Sequence, residues 1–294
     1  MFLNILTLLF LALVVRGFAR VIRYFITWLG RGKDLRTAVD HQRVSEETAL
    51  AYLEEGRHLT RDQRAEVMRA QLQDREEFLD NLHITWYQVV ILFVFGSMAG
   101  LLLEELWMFA SAGLTQSRVG LVWGPFSPLY GFGTVFLTLI AFQMRKRGAK
   151  GWQVFLVSAL VGGCLEQFTG WAMETLFQAQ SWTYLYLPDH ITQWIAWRFL
   201  VMWGVLGLVW TKMIMPELLY RIGEPTTKRQ VTFVVILAAY LALDIFMTLA
   251  CFQRRTERDA GIPASNDFER WIDDHYTDEF MSQRFQNLVI GQDL

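Results

Sequence analysis

The 294-residue sequence contains only two cysteines, Cys164 and Cys251, and both lie inside apolar segments. Two isolated cysteines provide neither a disulfide framework nor the ligand spacing of a zinc site. The phosphate-binding pattern G-x-x-x-x-G-K-[ST] is missing, which argues against an ATPase in this chain. Neither the G-x-S-x-G turn of hydrolases nor the H-E-x-x-H pair of zinc peptidases occurs. The sequence therefore predicts no metal site, no cofactor, no nucleic-acid partner and no catalytic residue.

Apolar residues make up 53% of the chain, and they gather in blocks of about 20 residues. A helix of that length crosses the hydrocarbon core of a bilayer, and the later blocks predict spans at 84–109, 152–177, 194–215 and 231–252. We therefore predict an all-α, polytopic helical membrane protein with about six transmembrane helices. Four regions are expected: a first transmembrane or interfacial helix at 1–30, a cytoplasmic helical insert at 31–83, a five-helix membrane bundle at 84–252, and a polar C-terminal tail at 253–294.

The distribution of lysine and arginine among the loops predicts the orientation. The positive-inside rule places three segments in the cytoplasm: 31–83, 145–150 and 216–230. Residues 178–193 contain neither lysine nor arginine, and their tryptophan and tyrosine residues are typical of an outer interface. An even number of spans puts the C-terminal tail outside, whereas its arginines at 254, 255 and 258 favour the inside.

The first 30 residues allow two interpretations. Positive charge follows the apolar segment and no small-residue cleavage site is present, so a removed signal peptide is not predicted. A retained span with its N-terminus outside is one interpretation. The other is a helix in the membrane plane, because Arg16, Arg20 and Arg23 recur on one helical face.

Residues 118–133 lie among apolar segments but cannot form one straight helix. Pro125 and Pro128 lack a backbone N–H and clash with the preceding turn. Glycines loosen the backbone on both sides of them: Gly120, Gly124, Gly131 and Gly133. Irregular backbone persists in a bilayer only where protein or water covers its polar groups, so we predict a bent or re-entrant element after the second span. An ordinary outer loop is the alternative.

Ionisable residues within the apolar segments are the candidates for a functional site, because charges there are costly and usually face a bundle interior. Glu105 and Asp244 are interpreted as structural or interfacial. Arg118 and Arg198 are the expected counter-charges of the acidic groups. The candidates for a substrate or proton site are Glu104, Arg118, Tyr130, Glu166, Glu174 and Arg198. The alternative is that these residues form ion pairs that only fix helix packing.

Several motifs occur in an order that resembles a known family. They are Phe95–Gly100 followed by Glu104, the string G-P-F-S-P-L-Y-G-F-G at 124–133, the series Glu166, Gly170, Glu174, Phe177, Trp182 and Tyr184, and the pair Trp203-Gly204. Over about residues 88–222 they resemble the bacterial membrane family labelled "putative ABC-transporter permease, type IV". Thr183 stands where the family has aspartate between tryptophan and tyrosine.

The resemblance implies a multi-pass bundle in the bacterial inner membrane and a separate ATP-hydrolysing partner. The expected structural positions of the motif are Gly124, Pro125, Pro128, Gly131, Gly133 and Trp182. A permease-like subunit for a polar or charged substrate is the first functional hypothesis. The second is a membrane enzyme acting on a lipid-linked or envelope substrate, with Glu104 or Glu166 as general acid or base. The third is a scaffold that docks a protein partner on 31–83.

Overall fold

The computed structural model describes residues 12–13, 16–17, 20–21, 24, 43–53, 59–113 and 115–291. Most of the predicted first span, 1–30, and the beginning of the cytoplasmic insert lie outside these described residues. The described chain is helical with almost no sheet, which confirms the all-α class.

The regular elements follow in chain order. The helices are α1 (Glu46–Leu53), α2 (Arg61–Asn81), α3 (Trp86–Ala112), α4 (Pro128–Lys146), α5 (Gly151–Phe177), α6 (Trp197–Val209), α7 (Met215–Ile222), α8 (Lys228–Asp259), α9 (Asp267–His275) and α10 (Asp278–Arg284), with a π-helical turn, Trp210–Ile214, between α6 and α7. Two antiparallel pairs of short strands join β1 (Ala179–Gln180) to β4 (Val289–Ile290) and β2 (His190–Thr192) to β3 (Ile195–Ala196).

Four helices of the described chain are long and apolar enough to cross a membrane: Trp86–Ala112, Gly151–Phe177, Trp197–Ile222 and Lys228–Asp259. Many of their large apolar side chains are exposed in the isolated chain, as expected for surfaces that face lipid. The chain is therefore a multi-pass membrane protein. Helix α4 occupies the position of the predicted third span, and a total of about six spans stays a prediction.

Two span ends differ from those predicted. The fifth span was expected to close at Pro216, but the helix continues to Ile222 through the π-helical turn. Pro216 lies in the first turn of α7, where a missing N–H leaves few hydrogen bonds unmade. The sixth span was expected to end near Phe252, but α8 runs to Asp259. The arginines at 254, 255 and 258 therefore belong to the last turns of a helix.

The chain forms two compact units, Met1–Gln88 with Ile214–Thr232 and Val89–Met213 with Phe233–Leu294. In the first unit Thr60 and Gln63 form the capping box at the start of α2. Helix α2 packs on α7, where the Tyr220 hydroxyl donates a hydrogen bond of 2.5 Å to Asp74.

Glycines bring α5 and α6 close together in the second unit. A Cβ atom on Gly162 would collide with the ring of Trp203, and one on Gly207 would collide with Ser158. Small residues at such positions let two membrane helices approach closely. This close approach places Trp203 of α6 beside Glu166 of α5.

The C-terminal segment folds back onto the second unit. Ile272, Met281 and Phe285 are fully buried in a core that also contains Cys251 and Val122. The arginines at the end of α8 pair with acidic residues of this segment: Arg254 with Asp273 at 2.6 Å, Arg258 with Asp273 at 2.6 Å and Asp278 at 2.7 Å, and Arg255 with Asp278 at 2.6 Å. Burial opposes ionisation of Asp273, but hydrogen bonds from two arginines outweigh it and lower its pKa.

Candidate functional site

Residues 115–127 are irregular, so the predicted irregular stretch at 118–133 is non-helical only as far as 127, and its last residues form the first turns of α4. Leu121, Val122 and Phe126 are buried, and α4 begins directly afterwards at Pro128. Proline suits the first turn of a helix, because its missing N–H would have no partner there. The stretch is thus irregular backbone covered by protein.

Side chains of α8 satisfy the backbone N–H groups of this stretch. Asp244 is completely buried, and its two carboxylate oxygens accept hydrogen bonds from the N–H groups of Trp123 at 3.0 Å and Gly124 at 2.9 Å. The Thr248 hydroxyl oxygen accepts one from the N–H of Val122 at 2.9 Å. Asp244 therefore holds the bend in place, in keeping with its expected structural role.

Arg284, at the end of α10, satisfies carbonyl groups of the same stretch. Its guanidinium donates hydrogen bonds to the carbonyl oxygens of Leu121 at 2.9 Å and Gly124 at 2.7 Å. Burial lowers the pKa of Arg284, and the negative charge of Asp244 opposes that effect. The sequence analysis missed Arg284; the only local signal is its position between the apolar Met281 and Phe285.

Glu104 of α3 forms an ion pair with Arg118 of the irregular stretch. The backbone N–H of Arg118 also donates to Glu105 at 3.3 Å. Tyr130, in the first turn of α4, lies beside the Glu104 carboxylate. Its ring packs so closely on Gly100 of α3 that a Cβ atom there would collide with it. Two of the family-like motifs therefore meet at this ion pair.

Glu166 lies within α5 and is only 6% exposed. Its Oε1 accepts a hydrogen bond of 3.0 Å from the indole Nε1 of Trp203. Its Oε2 is also buried, and among the described residues it has no hydrogen-bond partner. No described arginine or lysine forms an ion pair with Glu166, so the predicted counter-charge is not in contact with it.

Tyr184 lies close enough to both Glu166 and Glu104 for their charges to act on its hydroxyl. Burial raises the pKa of the Tyr184 hydroxyl, and the nearby carboxyl groups of Glu166 and Glu104 raise it further. The ring stacks on Phe199 with 4.5 Å between centroids. Tyr184 had been assigned only to an aromatic interface and to the family motif. We call Glu104, Arg118, Tyr130, Glu166 and Tyr184 together the polar cluster.

The other two candidates lie in different surroundings. Glu174 accepts hydrogen bonds from three neutral donors: Gln180 at 2.8 Å, Trp194 at 2.8 Å and Gln193 at 2.9 Å. These contacts fasten the end of α5 to the following loop. Arg198 pairs with Asp189 at 2.7 Å, and its hydrogen bonds lower the pKa of that carboxyl group. Both residues are thus engaged by local partners, and neither contacts Glu166.

The motif residues mostly shape the backbone around the bend. A Cβ atom on Gly131 would collide with Ser97, and one on Gly124 would collide with Phe126. A Cβ atom on Gly133 would lie at an ordinary contact distance of 3.5 Å from the Trp203 ring, and Pro125 is exposed. The Trp182 indole donates to the carbonyl oxygen of Trp194 at 3.3 Å.

The described residues contain no group of three or more His, Cys, Asp or Glu side chains arranged to hold a metal ion. A family model described as "Putative ABC-transporter type IV" matches residues 91–249, more than half of the chain. Neither the curated proteins nor the solved structures give a match. Glu104, Glu166 and Asp244 all lie within the matched segment.

Proposed function

Because the chain belongs to the family described as putative ABC-transporter type IV, we propose that it is the permease subunit of a transporter for a polar or charged substrate. The polar cluster is the proposed place of contact with that substrate. Such a role agrees with four apolar helices long enough to span a bilayer and with a chain that lacks its own phosphate-binding loop.

The observation that carries this proposal is the unpartnered oxygen of Glu166. A buried carboxylate is costly, and in most membrane proteins a cation or several donors compensate for it. Glu166 has a single neutral donor on one oxygen and an open acceptor on the other. A substrate that supplies the missing donor would remove that cost when it binds, so substrate binding itself would be favoured.

An ATP-hydrolysing partner follows from the same proposal. The chain has no P-loop pattern, and the proposal therefore assigns ATP hydrolysis to another subunit. We place the protein in the bacterial inner membrane, with segments 31–83, 145–150 and 216–230 towards the cytoplasm. The partner would bind on that side, and 31–83 is the largest segment there.

Purification of the tagged chain from its native membrane in mild detergent tests this function. We expect a P-loop ATPase to co-purify in fixed ratio and to hydrolyse ATP in the isolated complex. An unrelated multi-pass protein with the same tag, purified in parallel, is the control. A chain that remains stable, folded and free of any ATPase would contradict the proposed role as a transporter subunit.

A further inference from the structure

Among its described residues, the polar cluster contains two carboxyl groups, Glu104 and Glu166, and one cationic group, Arg118. Glu104 and Arg118 neutralise each other as an ion pair, whereas Glu166 adds a carboxylate that no described cation contacts. Arg198 is already engaged by Asp189. The described part of the cluster therefore lacks one positive charge, and an anionic ligand would meet repulsion from Glu166.

The missing group must also donate a hydrogen bond. Glu166 Oε2 is a buried acceptor without a donor, while Oε1 is occupied by the Trp203 indole. A buried carboxylate oxygen without a hydrogen bond is unfavourable even when its charge is balanced at a distance. An organic cation that bears an N–H group supplies the charge and the donor together.

The surroundings of Glu166 suit such a cation better than a metal ion. Magnesium and calcium require about six or more oxygen ligands, and the described residues contain no group of three or more His, Cys, Asp or Glu side chains arranged to hold a metal ion. Glu166 instead contacts the aromatic Trp203, and the hydroxyl of Tyr184 lies close enough for the two groups to interact electrostatically. Aromatic faces attract ammonium groups through their quadrupoles.

We propose that the polar cluster binds a protonated amine, with Glu166 as its counter-ion and hydrogen-bond acceptor. This inference rests on the proposed function for the role of the cluster in transport. The amine would donate a hydrogen bond to Oε2, as the Trp203 indole does to Oε1. The Glu104–Arg118 pair would remain intact beside it, because both of its charges are already balanced.

Binding can be measured on the purified chain in detergent, by tryptophan fluorescence and by thermal unfolding. The probes are butylammonium, putrescine and arginine amide; tetramethylammonium carries charge without an N–H donor, and butyrate carries the opposite charge. We expect the amines to bind and to stabilise the protein. Tetramethylammonium should bind at least about tenfold more weakly, because it cannot make the charge-assisted hydrogen bond. Butyrate should have no effect.

Two variants test the assignment to Glu166. Glu166→Gln should weaken amine binding by about tenfold or more, because the charge is lost. Glu166→Asp retains the charge on a shorter side chain and should be intermediate. Asp267→Asn is the matched control, since it removes one carboxylate from an exposed ion pair in the same unit, and it should bind amines as the wild type does.

Several results would overturn the inference. They are the absence of amine binding, equal binding of butyrate, equal binding of tetramethylammonium, and unchanged binding in Glu166→Gln. None of them depends on the ATPase partner. If the chain co-purifies with an ATPase but binds no amine, the proposed function stands and the amine inference fails. If it binds amines but no ATPase co-purifies, the amine inference stands and the proposed function fails.

Discussion

Glu166 and Asp244 are both carboxylates buried within apolar helices, but their surroundings differ. Asp244 receives two backbone N–H groups, one on each oxygen, and lies near the half-buried Arg284. Glu166 receives one indole N–H and leaves its second oxygen without a partner among the described residues. Both carboxylate oxygens of Asp244 thus have hydrogen-bond donors, which we call saturated, whereas Glu166 is open because one of its oxygens has no donor among the described residues.

The difference indicates how a structural charge can be told from a functional one in this bundle. A saturated carboxylate is part of the fold, because its removal leaves several donors without partners. An open carboxylate adds little to the fold and is available to a ligand. The two should therefore respond in opposite ways to substitution.

The largest effect is expected for Asp244→Ala. The N–H groups of Trp123 and Gly124 would lose their acceptors inside the protein, and Arg284 would lose a nearby negative charge. We expect the free energy of unfolding to fall by about 3 kcal/mol or more, measured by thermal or denaturant unfolding in detergent.

Two further variants calibrate that result. Asp244→Asn retains one acceptor oxygen and should be intermediate, and it also covers the case in which the alanine variant does not fold. Asp267→Ala removes an acid whose side chain is 97% exposed and should unfold as the wild type does. Equal stability of Asp244→Ala and Asp267→Ala would show that the hydrogen bonds of Asp244 do not stabilise the fold, and the contrast drawn with Glu166 would then be wrong.

A smaller effect is expected for Arg284→Ala. The carbonyl groups of Leu121 and Gly124 would lose a charged donor, at a cost of about 1–3 kcal/mol. Hydrogen exchange should become faster over residues 119–124 and 276–291, because the C-terminal segment holds the bend through this contact. Arg284→Lys retains the charge and should protect these residues partly. Unchanged exchange in Arg284→Ala would mean that Asp244 alone fixes the stretch.

The smallest effect on stability is expected for Glu166→Gln. The amide oxygen can still accept the Trp203 hydrogen bond, and an uncompensated buried charge is removed. The melting temperature should therefore equal or exceed that of the wild type, while transport or the cellular phenotype falls sharply.

Glu174→Gln is the matched substitution on the same helix. It replaces an oxygen that accepts from neighbouring donors and should cost about 1 kcal/mol. A clear drop in the melting temperature of Glu166→Gln, or full function of that variant, would return Glu166 to a structural role.

The sequence by itself determined the helical membrane fold and the position of the bend. Apolar length predicted α3 and α5 to within a few residues, because crossing a bilayer is a property of consecutive residues. The prolines and glycines of 118–133 predicted irregular backbone for an equally local reason. The family-like motifs identified Glu104 and Glu166 as residues of interest.

Only the tertiary structure decided which of these charges are satisfied. It paired Arg118 with Glu104, Arg198 with Asp189 and Arg284 with the bend, and it left one oxygen of Glu166 open. It also carried the fifth span past Pro216 through a π-helical turn. The physical reason is that an ion pair or a buried hydrogen bond depends on which turns of distant helices face each other, and residue order along one chain does not contain that distance.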